Sequence, residues 1–141
     1  MALICTMQIH EHPITVRPTD IDAMKHVNNV VYVQWVQDAA SAHWRAYAPK
    51  EIVMKYNWVV LRHEIDYRSA AVLHDKLSAR TWVQRYEGAK STRIVQIFRI
   101  EDNKLLAEAT STWCLLASDT NRPVRIADEI RNIFEAQGTS R

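Results

Sequence analysis

Glycine is nearly absent: Gly88 and Gly138 are the only two in 141 residues. Loops that cradle phosphates in P-loop and dinucleotide-binding folds need several glycines close together, so both readings are excluded. Cysteine is equally scarce. Cys5 and Cys114 lie far apart with no metal-type spacing, which implies a reduced, cytoplasmic protein. No apolar run approaches the roughly 20 residues needed to cross a bilayer. The opening MALICTMQIH lacks the basic start and long apolar stretch of a signal peptide. A strong charge of either sign is missing too. The formal net charge is +2, with Lys and Arg scattered rather than blocked, so neither a nucleic acid nor a membrane span is expected. A small anionic ligand remains compatible.

Apolar residues make up 48 % of the chain and charged residues 24 %. That is the composition of a globular domain with a sizeable core, and residues 1–141 are expected to form a single domain. No linker, repeat or low-complexity tract interrupts it. Residues 7–17, MQIHEHPITVR, alternate loosely around Pro13 and read as an edge strand. From Asn29 to about Tyr47 the period becomes helical, with Val31, Trp35, Ala39 and Ala42 or His43 on one stripe and Asn28 as N-cap. Further apolar positions around it predict a helix buried on most sides, and the small residues of DAASAH allow close approach to a sheet.

After a loop of about ten residues the period switches to two. Strands are expected over 58–70, 76–87, 91–101 and 104–117, joined as an antiparallel meander, with a short helix near 126–136. The fold class is thus α+β, a curved antiparallel sheet wrapped around one long central helix. Long exposed sheet edges on so small a domain predict a dimer.

The stretch Asp22-Ala23-Met24-Lys25-His26-Val27-Asn28-Asn29, followed by Tyr32, resembles the signature of hotdog-fold acyl-CoA thioesterases of the 4-hydroxybenzoyl-CoA thioesterase type. Acyl-ACP thioesterases share the His-Val-Asn-Asn-x-x-Tyr part. Glu64-Ile65-Asp66-Tyr67 with Asp75-Lys76-Leu77, and Asn121 to Ile126, are similar to further family segments, so the resemblance spans roughly residues 8–135. It implies the hotdog fold, a homodimer or homotetramer with the thioester at the subunit interface, acyl-CoA as substrate and no cofactor.

Thioester hydrolysis requires a nucleophile or base, a donor for the developing oxyanion and a site for the coenzyme phosphates. The resemblance implies that Asp22 is the reagent, while Asp20 serves the loop as a hydrogen-bonding group. The backbone N–H groups of Asn28 and Asn29 stand where a helix start leaves donors unpartnered, and the Asn29 amide matches the family's electrophile. His26 is a candidate assistant. Met24 stands where acyl-ACP enzymes carry an asparagine, and Lys25 where CoA-type relatives commonly carry glycine. Tyr32, Trp35 and Tyr67 are expected in the core or on the acyl pocket wall. Lys90, Ser91, Thr92 and Arg93 resemble the strand that contacts phosphate and pantetheine, and a guanidinium there can fork onto a phosphate.

A metal centre is not expected: His10, His12, Asp20, Asp22 and His26 show no known zinc spacing. A Ser-His-Asp hydrolase lacks its Gly-x-Ser-x-Gly elbow. The alternatives to an acyl-CoA thioesterase are an acyl-ACP thioesterase and a non-catalytic acyl-CoA-binding domain.

Overall fold

A computed structural model describes residues 7–135. Cys5, Gly138 and residue 136 of the expected terminal helix lie outside that range. Strand β1 (His10–Thr15) is followed by a short 3-10 turn over Pro18–Asp20, helix α1 (Asn29–Tyr47) and helix α2 (Lys50–Lys55). Strands β2 (Tyr56–Tyr67), β3 (Lys76–Glu87), β4 (Lys90–Arg99) and β5 (Lys104–Ala117) come next, and helix α3 (Asp128–Phe134) closes the order.

The long helix begins where the sequence places it. The Asn28 side chain accepts a hydrogen bond from the Val30 amide at 3.1 Å, the usual service of an N-cap to first-turn donors. It stops before Pro49, which has no N–H to continue the ladder and starts α2 instead. Tyr32, Trp35, Val36, Ala39, Ala40, His43 and Trp44 are buried, and the fully covered Ala39 lets the helix backbone lie close to the sheet. The opposite stripe of Val30, Gln34, Asp38 and Arg45 is exposed, so the burial is one-sided within the chain rather than nearly complete.

All five strands form one antiparallel sheet in the order β1-β3-β4-β5-β2. The expected meander holds for β3, β4 and β5. It does not include β2, which leaves α2 and pairs with β5 at the far edge instead of forming a hairpin with β3. A register shift between Val60 and Arg62 also breaks the simple alternation read for that strand. Leu61 is turned outward and is 53 % exposed, while His63 and Ile65 remain on the covered face.

Two apolar clusters sit between α1 and the sheet. One gathers Tyr32, Trp35, Val36 and Ala39 with Leu77, Val95, Ile97 and Leu106. The other joins Trp44 to Ile52, Leu115, Ile126, Ile130 and Phe134, so α2 and α3 close the far end of the helix. These two ends of α1 carry different chemistry.

Candidate active site at the start of the long helix

The segment before α1 is tied into a compact loop by its own backbone. The Asp20 carboxylate accepts from the Arg17 amide at 2.8 Å, and its carbonyl accepts from the Asn28 amide at 2.8 Å. Asp20 is therefore a loop hydrogen-bonding group, as expected. Asp22 donates its amide to the His26 carbonyl at 2.8 Å, and Ile21 and Val27 bridge in antiparallel fashion. Asp22 Oδ1 accepts from the amides of Met24 at 2.9 Å and His26 at 3.2 Å. Its Oδ2 has no hydrogen bond among the described residues. One carboxylate oxygen thus holds the loop, and the other is left available.

Lys25 lies at the turn of this loop with φ +66°. That left-handed conformation explains why glycine suits the position: a side chain there meets the following carbonyl at a cost of roughly 1–2 kcal/mol. Lys25→Gly is expected to raise unfolding stability by about 1 kcal/mol. Urea titration should show a higher midpoint at unchanged slope.

The helix-start donors divide their work. Val30 is capped by the Asn28 side chain, and Val31 donates to the Asn28 carbonyl at 2.9 Å. The Asn28 amide is engaged by Asp20, which corrects the expectation that both asparagine amides stand free. Asn29 alone of these has an amide without a partner among the described residues. Asp22, His26, Asn28, Asn29 and Tyr32 line one cleft of about 400 Å³, together with Met24.

The opposite wall runs from Tyr67, expected in the core or on a pocket wall, through Arg68, Ser69 and Ala70, for which the sequence carries no signal. Tyr67 is 44 % exposed and donates its hydroxyl to the Asn29 carbonyl at 3.2 Å, so it is a cleft residue rather than a core one. Tyr32 is buried, with its hydroxyl accepting from the Ala71 amide at 3.0 Å, while the Ala71 carbonyl accepts from the Val27 amide at 2.9 Å. Burial holds the Tyr32 phenol above its ordinary pKa. This clamp fixes the loop to the helix and to the β2–β3 connection. Its signal in the sequence was the tyrosine one turn into the helix, which marks a buried hydroxyl in need of a partner.

The residues of β4 lie elsewhere. Tyr67 pairs with Ala107, which pairs with Ile97, and Lys90 is seven positions back along β4. At roughly 3.3 Å per residue that is about 23 Å from the level of the cleft. Lys90 is exposed and Thr92 half-buried. Ser91 and Arg93, which with Lys90 and Thr92 resemble a phosphate-contacting strand, instead face α1 and are each 4 % exposed. Arg93 Nη1 donates to His43 Nδ1 at 2.9 Å and to Thr81 Oγ1 at 3.0 Å, and the guanidinium lies 5.2 Å from the Phe134 ring. Burial holds its pKa down to about 10. The pattern could have revealed this, because Arg93 alternates in phase with Val95 and Ile97, which are fully buried.

Among the described residues, no group of three or more His, Cys, Asp or Glu side chains is placed to hold a metal ion. No helix among them is long and apolar enough to cross a membrane. Asp22, with one carboxylate oxygen unengaged, and Asn29, with its amide unengaged, thus line the same cleft at the start of α1.

The chain is 27 % identical over 131 residues to the long-chain acyl-CoA thioesterase FadM of Escherichia coli K12, covering 86 % of this chain and 94 % of that protein. Among solved structures it resembles a 1,4-dihydroxy-2-naphthoyl-CoA thioesterase from Synechocystis, with a TM-score of 0.77 at 15 % identity over 89 % of this chain and 95 % of the other. It also resembles a Thermus thermophilus thioesterase complexed with coenzyme A and zinc, with a TM-score of 0.76 at 20 % identity over 88 % and 90 %. These likenesses show the hotdog fold, a curved five-stranded antiparallel sheet with one long helix. The family model for the thioesterase-like superfamily matches residues 16–134, and the chain belongs to that superfamily.

Proposed function

We propose that this thioester hydrolase acts on acyl-CoA, releasing a free carboxylic acid and CoA, with Asp22 as nucleophile or general base. The observation that carries the reading is the pairing, in one cleft, of the unengaged Asp22 Oδ2 with the unengaged Asn29 amide. Either Oδ2 attacks the thioester carbon directly, or it takes a proton from a water that does so. The carbonyl oxygen gains negative charge that the Asn29 N–H and the helix N-terminus stabilise. The C–S bond then breaks and CoA leaves as thiolate and is protonated; on the route of direct attack, water then hydrolyses the acyl-aspartyl anhydride, releasing the acid and restoring Asp22. His26, whose ring has no hydrogen-bond partner among the described residues, stands beside the cleft as an assistant.

Lys90 and Thr92 are the proposed contacts for the coenzyme phosphates. They lie too far along the sheet to serve the cleft of their own chain closely, which supports a homodimer or a pair of dimers. Among the described residues the outer edge of β2 is unpaired, and it exposes Val59 and Leu61 by 40 % and 53 %. A two-fold antiparallel pairing of that edge would bring the Lys90 end of one copy towards the Asp22 cleft of the other. We place the enzyme in the cytoplasm, in keeping with the free thiol of Cys114.

The test is to offer the wild-type chain aliphatic and aromatic acyl-CoAs and to follow free thiol. Turnover of at least one supports the reading. Tight acyl-CoA binding without any thiol release would replace it with a binding module.

A further inference from the structure

A second cavity, partly open to solvent, lies at the other end of α1, bounded by that helix, α2, the start of β2, β4, β5 and Phe134. Its volume is about 230 Å³, and its walls include Trp44, Trp58, Trp113 and Phe134 as well as Ser91 and Arg93. Trp44 and Trp58 meet edge to face at 5.7 Å, which leaves an aromatic box closed on one side by a buried cation.

That cation lacks a counter-charge among the described residues. Both partners of Arg93 Nη1, His43 and Thr81, are neutral. His43 Nε2 faces Gln8 Oε1 at 2.7 Å and so carries the ring proton, leaving Nδ1 to accept from Arg93. Arg93 Nε and Nη2 have no hydrogen bond, and no carboxylate forms an ion pair with the residue, among the described residues. Trp58 and Trp113 also line the cavity, and their indole N–H groups, buried behind its surface, have no acceptor among the described residues. A buried charge without its opposite is costly, and so is each buried donor left unpaired. Two cations, Arg45 and Arg93, and no carboxylate line the cavity, so an anion would supply the missing charge.

The walls decide which anion. An apolar cavity of about 150 Å³ already admits benzene, whereas pockets for larger ligands run from about 300 Å³ upward. A space of 230 Å³ therefore suits one ring or a short aliphatic body with a single charged head. We propose that this cavity binds a small hydrophobic carboxylate, its two oxygens forked onto Arg93 Nε and Nη2 and its apolar body held between Trp44, Trp58 and Trp113. Within one chain the site lies at the opposite end of α1 from the Asp22 cleft. Planar bidentate recognition of a carboxylate is the geometry for which a guanidinium is preorganised.

The experiment uses the full chain labelled with ¹⁵N and two matched probes, benzoate and benzyl alcohol. The indole N–H signals of Trp58 and Trp113, assigned through their Trp→Phe variants, report on the cavity. The amides of Met24 and His26 report on the Asp22 cleft. Benzoate is expected to shift both indole signals saturably and to leave Met24 and His26 unmoved. Benzyl alcohol should bind at least roughly tenfold more weakly, because it cannot use the charge. Equal binding of the two probes, shifts confined to Met24 and His26, or no saturable shift would each overturn the proposal. Arg93→Met keeps the length and removes the charge. It is expected to abolish the preference for benzoate, and a variant that keeps the preference would also overturn it. If that variant does not fold, the two-probe comparison on the wild-type chain still decides.

Discussion

Asp22→Asn is expected to lower kcat/KM for acyl-CoA hydrolysis by roughly 10²–10⁴-fold while leaving the chain folded, which is the scale on which positioned bases and acids act. The substitution isolates charge from structure. Asn Oδ1 can still accept from the Met24 and His26 amides, so the loop keeps both of the hydrogen bonds that Asp22 supplies. The clamp through Tyr32, Ala71 and Val27 does not involve residue 22 at all. What changes is the other atom: an unengaged carboxylate oxygen becomes an amide NH₂, which neither attacks a thioester nor takes a proton. Free-thiol release and a thermal melt measure the two halves of the expectation. Near-normal thiol release would remove Asp22 from the chemistry. Asp22→Ala is a harsher control, because it also leaves two loop amides without their acceptor and should cost about 1–2 kcal/mol of stability.

How far the sequence revealed this site depends on how local each feature is. The N-cap at Asn28, the helix to Tyr47 and the strand bounds of β3 and β5 follow from capping and periodicity within a few residues, and they stand where expected. The partner of β2 is not a local property. Its alternation announces a strand, but only closure of the sheet around α1 determines that β5 rather than β3 lies beside it. The six residues of α2 are too few to show a period, so the segment reads as a loop. At the cleft, the motif located Asp22 and Asn29, but nothing in it specifies that Tyr67, 38 positions from Asn29, closes the other side. The charge of Arg93 points to the surface, whereas its phase along β4 points to the core. Its neighbours Val95 and Ile97 had already assigned that face to the core.

The same buried contact makes the fold sensitive to acid. His43 is fully covered, and its pKa is pushed down from 6.5 to about 3, first by burial, then by the charge of Arg93 and by His10. The sign follows from proton counts. Between those two values the unfolded chain binds a proton at residue 43 that the folded chain excludes, so unfolding free energy rises with pH across that window. The stability that depends on a neutral His43 is complete above 6.5 and is lost as pH falls towards 3. One proton corresponds to at most about 1.4 kcal/mol per pH unit. Lowering pH from 7 to 4.5 should therefore cost on the order of 2–3 kcal/mol, a large share of the roughly 5–15 kcal/mol that holds a domain together. His10 and His63 are also lowered by burial and add the same sign, so the wild-type curve alone does not isolate residue 43. His43→Gln does. Its amide oxygen can accept from Arg93 and its NH₂ can donate to Gln8, replacing both contacts without a titrating group. Urea unfolding of the two proteins across that range should diverge, the variant losing less stability with acid by up to one proton's worth per pH unit. Parallel curves would mean that His43 takes up its proton while still folded, and an imidazolium would then sit against the Arg93 guanidinium with no anion between them.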